Sequence, residues 1–183
     1  MKHIGTQSIE TDRLILRRFQ DNDAQNMYEN WASSDDVTKY LTWQSYKSVS
    51  DAKERINFLK ENYVKDNFYD WAIVLKEIGE PIGSIGVVDI KENINAVHIG
   101  YCIGKKWWRQ GITSEALSAI IDFFFDKVKV DRIESRHDTL NVNSGKVMQK
   151  CGMKYEGTMR KADRDNQGIC DTAYYAILKS DRR

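Results

Sequence analysis

Apolar residues change their period along this chain, and each change marks an element. Leu14 and Leu16 alternate with Arg13 and Arg17, which predicts an opening strand around residues 12–18. Asp21 or Asn22 is placed to cap a helix running past Trp31, and Ser34-Asp-Asp-Val starts a second short helix or turn ending near Leu41. Ser50 and Asp51 precede a clearer helix with Ala52, Ile56, Leu59 and Tyr63 at helical spacing. The period then drops to two: Tyr69, Trp71, Ile73 and Leu75 share one face of a second strand. Gly79-Glu-Pro81 turns the chain into a third strand over residues 82–88, and Val97, Ile99, Tyr101 and Ile103 alternate on a fourth. After Gly111 a helical stripe returns (Leu117, Ile120, Ile121, Phe124, Val128), followed by a fifth strand at 130–137. A helix from Asn141 to Cys151, with Val147, Met148 and Cys151 facing inward, stops at Gly152. Residues 155–161 and 170–178 read as a closing hairpin. The order β-α-α-β-β-β-α-β-α-β-β predicts an α/β fold with a mixed sheet flanked by helices.

Composition narrows this little. The 183 residues, 41% hydrophobic and 30% charged, suit a single domain spanning residues 1–183. A net charge of +1 offers no basic field for nucleic acid, and no apolar run approaches the length of a membrane span. The N-terminal Met-Lys-His-Ile-Gly-Thr lacks the apolar stretch of a secretory leader. The three cysteines, Cys102, Cys151 and Cys170, have no metal-ligand spacing. A cytoplasmic protein with reduced thiols and no metal is expected.

The candidate chemistry lies where the fourth strand meets its helix, at Ile99-Gly-Tyr-Cys-Ile-Gly-Lys-Lys-Trp-Trp-Arg-Gln-Gly-Ile-Thr-Ser-Glu-Ala-Leu117. A strand, a basic turn, a lone glycine and a helix N-terminus together form an anion cradle: the first backbone N–H groups of a helix lack partners and the dipole is positive there. The dipole adds only about 0.3–1 kcal/mol at exposed sites, so it positions a phosphate and the rest of a long ligand supplies most of the affinity. Neither Gly-x-Gly-x-x-Gly nor Gly-Lys-Ser/Thr occurs. From the residues alone, an ordinary strand-to-helix turn remains an equal reading.

This segment resembles the acyl-CoA motif of the GNAT N-acetyltransferases, Gln/Arg-x-x-Gly-x-Gly/Ala. Within that family it is similar to the ribosomal-protein alanine/serine branch of the RimJ/RimL type. Gly111, Glu115 and Ala116 match; Arg109 stands where glycine is common, and Thr113 where Gly or Ala is usual. A second match is Asn141-Val-Asn-Ser-Gly-Lys-Val-Met-Gln-Lys-Cys-Gly-Met153; the opening Glu10–Arg18 and the closing Asp171–Asp181 also fit. The resemblance implies a GNAT fold whose mostly antiparallel sheet splays between its fourth and fifth strands. It also implies acetyl-CoA as cosubstrate. The diphosphate would lie on Trp108, Arg109, Gln110, Gly111, Ile112, Thr113 and Ser114. The pantetheine arm would lie along Ile99–Ile103 and against Asn141, with Lys146 nearby.

Acetyl transfer to an amine needs a neutral nucleophile, a polarised carbonyl, a stabilised thiolate and reactants held together, the last worth about 7–11 kcal/mol. Direct attack needs no cysteine nucleophile, and the three thiols read as small buried hydrophobes. The resemblance implies Ser144 as the hydroxyl assisting thiolate departure; capping of its helix is the alternative. Candidates for the base are His98, where several relatives carry glutamate, and Asp163 or Asp165 in the final hairpin turn, with a base working through water as the alternative. An α-amine, with a reference pKa of about 7.7–8.0 against about 10.4 for lysine, needs the least help. A protein or peptide N-terminus is therefore the expected acceptor, with a small amine (polyamine, amino acid or antibiotic) or a non-catalytic CoA-binding role as alternatives. Trp31, Tyr40, Trp43, Tyr46 and Trp107 are expected to line the acceptor pocket or pack as core. The chain is expected to be a monomer or homodimer.

Overall fold

A computed structural model describes residues 1–182. One eight-stranded sheet runs through the molecule in the order β1-β2-β3-β4-β5-β6-β8-β7. Its strands are β1 (Ile9–Glu10), β2 (Leu14–Arg17), β3 (Asp70–Leu75), β4 (Glu80–Lys91), β5 (Ala96–Ile103), β6 (Arg132–Asp138), β7 (Lys154–Asp165) and β8 (Gly168–Leu178). The two-residue β1 has too little pattern to be read from sequence, so the expected fourth and fifth strands are β5 and β6. All pairings are antiparallel except β5 with β6.

Each face of the sheet carries its own apolar layer. Trp71, Ile73 and Leu75 of β3 point to one side, with α4 (Ile112–Phe123) and α5 (Val142–Lys150); Ala72 and Val74 point to the other, with α1 (Ala24–Met27), α2 (Asp35–Thr38) and α3 (Val49–Asn62). Because β3 is buried on both faces, its sequence is a nearly continuous apolar run. On the first face, Tyr69 and Trp71 meet Phe123 and Phe124 edge-on, at centroid separations of 5.0 Å (Tyr69–Phe124) and 5.5 Å (Trp71–Phe123).

Local chemistry moves several boundaries. Ser48, not Ser50 or Asp51, caps α3, and the Asp51 carboxylate accepts the Ser48 N–H in return. The first helix widens into a π-helical turn at Tyr28–Ala32, and α4 does the same at Phe124–Val128. Arg17 forks onto Asp23 (Nη1–Oδ2 2.7 Å, Nη2–Oδ1 2.9 Å), tying the start of α1 to β2.

Candidate active site

The sheet opens between β5 and β6. These strands pair only at Ala96–Arg132, Val97–Ile133 and His98–Glu134. Beyond His98, β5 continues against β4 as far as Ile103, while β6, paired with β8 along its whole length, no longer pairs with β5. Ser135 Oγ donates to the Ile99 carbonyl at 2.9 Å where the strands part, and the Trp108 indole N–H donates to the Ile103 carbonyl at 2.9 Å at the far end. By the two-residue alternation of a strand, Tyr101 between them presents its backbone N–H and C=O to the gap. An extended amide-bearing chain has a ladder waiting there.

The gap leads to a cavity of about 370 Å³ bounded by the N-terminal ends of α4 and α5. Gly111 caps α4 at φ +75°, a conformation that glycine adopts without strain; the preceding turn also places Arg109 at φ +61°. A Cβ on Gly111 would lie 3.5 Å from Lys150 Nζ and 3.7 Å from an Arg13 guanidinium nitrogen, so two cations flank the turn. The turn is held from behind. Glu115 accepts from the Thr11 hydroxyl (2.6 Å), the Arg13 backbone N–H (2.9 Å) and Arg13 Nε (2.7 Å), while Arg13 Nη1 donates to the Gln110 carbonyl (3.0 Å). Burial pushes the Glu115 carboxyl up, but the hydrogen bonds from Thr11 and Arg13 outweigh it and leave it lowered. A positive helix end, a glycine that keeps the backbone open and flanking cations suit a diphosphate.

Most residues singled out from the sequence meet here. Ile103, Trp108, Arg109 and Gly111 line the cavity, with Ile112, Thr113 and Ser114 of α4 beside them; Asn141, Ser144 and Lys146 face them from α5. Asn141 is the α5 cap residue, and the Ser144 N–H bonds its carbonyl at 3.0 Å. Gln110 is not part of the lining; its side chain donates to the Lys106 carbonyl at 2.9 Å. Lys105 pairs with Asp36 at 2.7 Å on the surface. Tyr101, within the stretch expected beside the pantetheine arm, was given no role of its own because it continues the apolar face of Val97, Ile99 and Ile103. Its hydroxyl donates to the Ser144 carbonyl at 3.1 Å, and burial raises its pKa.

The base candidates His98, Asp163 and Asp165 lie apart from this cavity. His98 sits in the closed, paired part of β5, where burial first, and then Arg136, push it down to about 4. Asp163 on β7 is ion-paired with Arg136 Nε at 3.0 Å. The cysteines are free and partly buried, and burial raises all three thiols, which disfavours a thiolate nucleophile. Cys170 lies with Asp138 and Asp165 in a group whose ligand atoms all fall within 4.8 Å, a proximity that its sequence spacing does not reveal.

A second cavity, of about 300 Å³, lies on the α1–α3 face and is lined by Trp31, Trp43, Tyr46, Arg55, Asp70 and Ser84, among others. The expected aromatic set thus divides: Trp31, Trp43 and Tyr46 line this cavity, Tyr40 and Trp107 the first.

Comparison with known proteins agrees with this geometry. The Acetyltransferase (GNAT) domain family matches residues 13–154. An uncharacterized N-acetyltransferase of Bacillus subtilis, YoaA, is 32% identical over 93% of this chain and 96% of its own. The ribosomal protein uS5-alanine N-acetyltransferase of Escherichia coli is 24% identical over 81% of this chain and 79% of its own. A crystal structure of a GNAT-family acetyltransferase from Bacillus anthracis superposes with a TM-score of 0.82 at 26% identity, covering 95% of this chain and 99% of that one. The chain belongs to the GNAT acetyltransferases and is an acyltransferase of that family. Among the described residues no helix is long and apolar enough to cross a membrane.

Proposed function

We propose that this protein binds acetyl-CoA in the cavity between β5 and β6 and transfers its acetyl group to a primary amine, best the α-amine of a protein or peptide N-terminus. The observation that carries the reading is the splay: one open strand edge leads straight to a helix N-terminus flanked by cations. When bound, acetyl-CoA supplies an activated acetyl carbonyl and a thiolate leaving group. The N–H groups at the start of α4 hold the diphosphate, with Arg109, Lys146 and Lys150 adding charge around it. Tyr101 offers backbone pairing to the pantetheine amides, and Asn141 sets the reach of the arm. The Ser144 hydroxyl donates a hydrogen bond to the departing thiolate. The Tyr101 hydroxyl, fixed on the Ser144 carbonyl, positions the first turn of α5 against β5.

The uS5-alanine relative favours a peptide α-amine, as does the low intrinsic pKa of such amines. The small volume of the second cavity favours the rival reading, a free small amine. Steady-state assays with acetyl-CoA separate them. Peptides beginning with alanine or serine are expected to give a higher kcat/KM than polyamines, amino acids or lysine side chains; the opposite ranking overturns the peptide assignment.

A further inference from the structure

Asp70 is an odd residue to find inside this sheet. It opens β3 on the α1–α3 face, and its carboxylate leans over Gly86 of β4: a Cβ on Gly86 would lie 3.2 Å from Asp70 Cγ and 2.8 Å from the Tyr69 carbonyl, so only glycine leaves it room. One oxygen, Oδ2, accepts from Arg55 of α3 at 2.9 Å. The other, Oδ1, is shielded from solvent and has no hydrogen-bond partner. A buried carboxylate oxygen without a donor is costly unless something else fills the position. Asp70 also lines the second cavity, whose walls include Trp31, Trp43 and Tyr46.

The linings of the two cavities meet at a pair of side chains. Ser84 lines the second, Cys102 lines the first, and their side chains meet at 3.4 Å across the β4–β5 pair. A ligand in the second cavity therefore approaches the open segment of β5 from the face opposite α4 and α5. We propose that Asp70 is the base of the reaction: in this cavity, three of whose aromatic walls were expected at the acceptor, Asp70 Oδ1 holds the ammonium of a primary amine on a short apolar stem and removes its proton. The inference rests on acetyl-CoA occupying the first cavity. The balance is simple. One ammonium proton goes to the Asp70 carboxylate, and the freed lone pair forms the N–C bond. The C–S bond breaks with its electrons on sulfur, and the thiolate takes the second amine proton.

The groups facing Asp70 are Arg55 and Tyr63 from α3, Tyr46 from the segment before it, and Cys102 from β5. Burial pushes both tyrosines and the thiol up, so Asp70 alone among them changes charge near neutrality. Burial raises Asp70 to about 7 against the pull of Arg55, which suits a base working at neutral pH.

Two probes test the proposal without acetyl-CoA: a tripeptide amide beginning with alanine, and phenethylamine. Each is titrated against the quenching of tryptophan fluorescence. At least one is expected to bind the unmodified protein, more than tenfold tighter at pH 8 than at pH 5.5, and the tighter probe tells peptide from free amine. Asp70→Asn is expected to bind it at least tenfold more weakly, with no pH dependence. It should keep CoA affinity within twofold, lower kcat by a hundredfold or more, and lose the acid limb of kcat/KM near pH 7. Trp43→Ala, which leaves the carboxylate in place, is expected to raise the acceptor KM at least tenfold and retain that limb, and it serves if Asp70→Asn does not fold. Binding of neither probe, or an unchanged acid limb and probe affinity in Asp70→Asn, overturns the proposal. Failure of the unmodified protein to bind CoA would instead sink the reading of the first cavity.

Discussion

Ser144 and Asp70 carry the chemical part of this account, and each answers to its own substitution. Ser144 lines the cavity from the first turn of α5, inside the helix, and the cap position is held by Asn141. Ser144→Ala should therefore leave the thermal midpoint within a few degrees while lowering kcat by about 10–1000-fold, the range for loss of a donor to developing charge; an unchanged kcat rules the hydroxyl out of the reaction. Asp70 also makes a prediction about stability. Its folded-state pKa of about 7 lies above the unfolded value near 3.9. The folded protein therefore binds the proton more tightly, so the contribution of Asp70 is fully present below pH 4 and is lost as pH rises to about 7. Denaturant unfolding of the unmodified protein and of Asp70→Asn at pH 5, 6 and 7 should show the difference between them moving toward the variant, by at most about 1.4 kcal/mol per pH unit. A difference that holds constant shows that Asp70 is already ionised across this range. Sequence reading passed over Asp70 because it looks like a polar strand start. Its ion-pair partner lies fifteen residues earlier on α3, and only the sheet register brings Gly86 beneath it.

Among elements, the junction of β5 with α4 was the most legible. Alternation followed by a basic turn, a glycine and an apolar helical stripe leaves few other arrangements, and the structure places Gly111 at the α4 cap as the pattern required. The long helices and central strands were legible for the same reason: each buries one face, and burial writes a period into the sequence. What left no period was lost. The two residues of β1 and the π-helical turns at Tyr28–Ala32 and Phe124–Val128 are set by tertiary packing. The base candidates His98 and Asp163 came from resemblance at positions where strand pairing and ion pairing decide the surroundings. The matching motif also explains its own Glu115: the side chain anchors the segment around Arg13 to the first turn of α4. Glu115→Ala removes charged hydrogen bonds worth about 1.5–3 kcal/mol each and releases Arg13 from the turn. A several-fold loss of CoA affinity with kcat at saturation preserved is expected from titration and kinetics, whereas unchanged affinity detaches this brace from the cradle.

On the proposed reading the sheet keeps the reactants on opposite faces, CoA against α4 and α5 and the acceptor against α1–α3, meeting where β5 has lost its neighbour. That division needs a rigid partition, and the double-sided burial of β3 supplies it. Trp71 is fully buried against Phe123 and Phe124, and Trp71→Ala should cost about 3–5 kcal/mol, read as a lowered denaturant midpoint. A loss below about 1 kcal/mol would mean that the partition is softer than described. The most direct test of the central claim is calorimetric titration of CoA into the unmodified protein and into Gly111→Glu. The cradle predicts one CoA per chain for the first, with affinity falling as salt rises, and at least a thirtyfold loss for the second. No heat of binding, or an undiminished affinity with a carboxylate set into the turn, contradicts it.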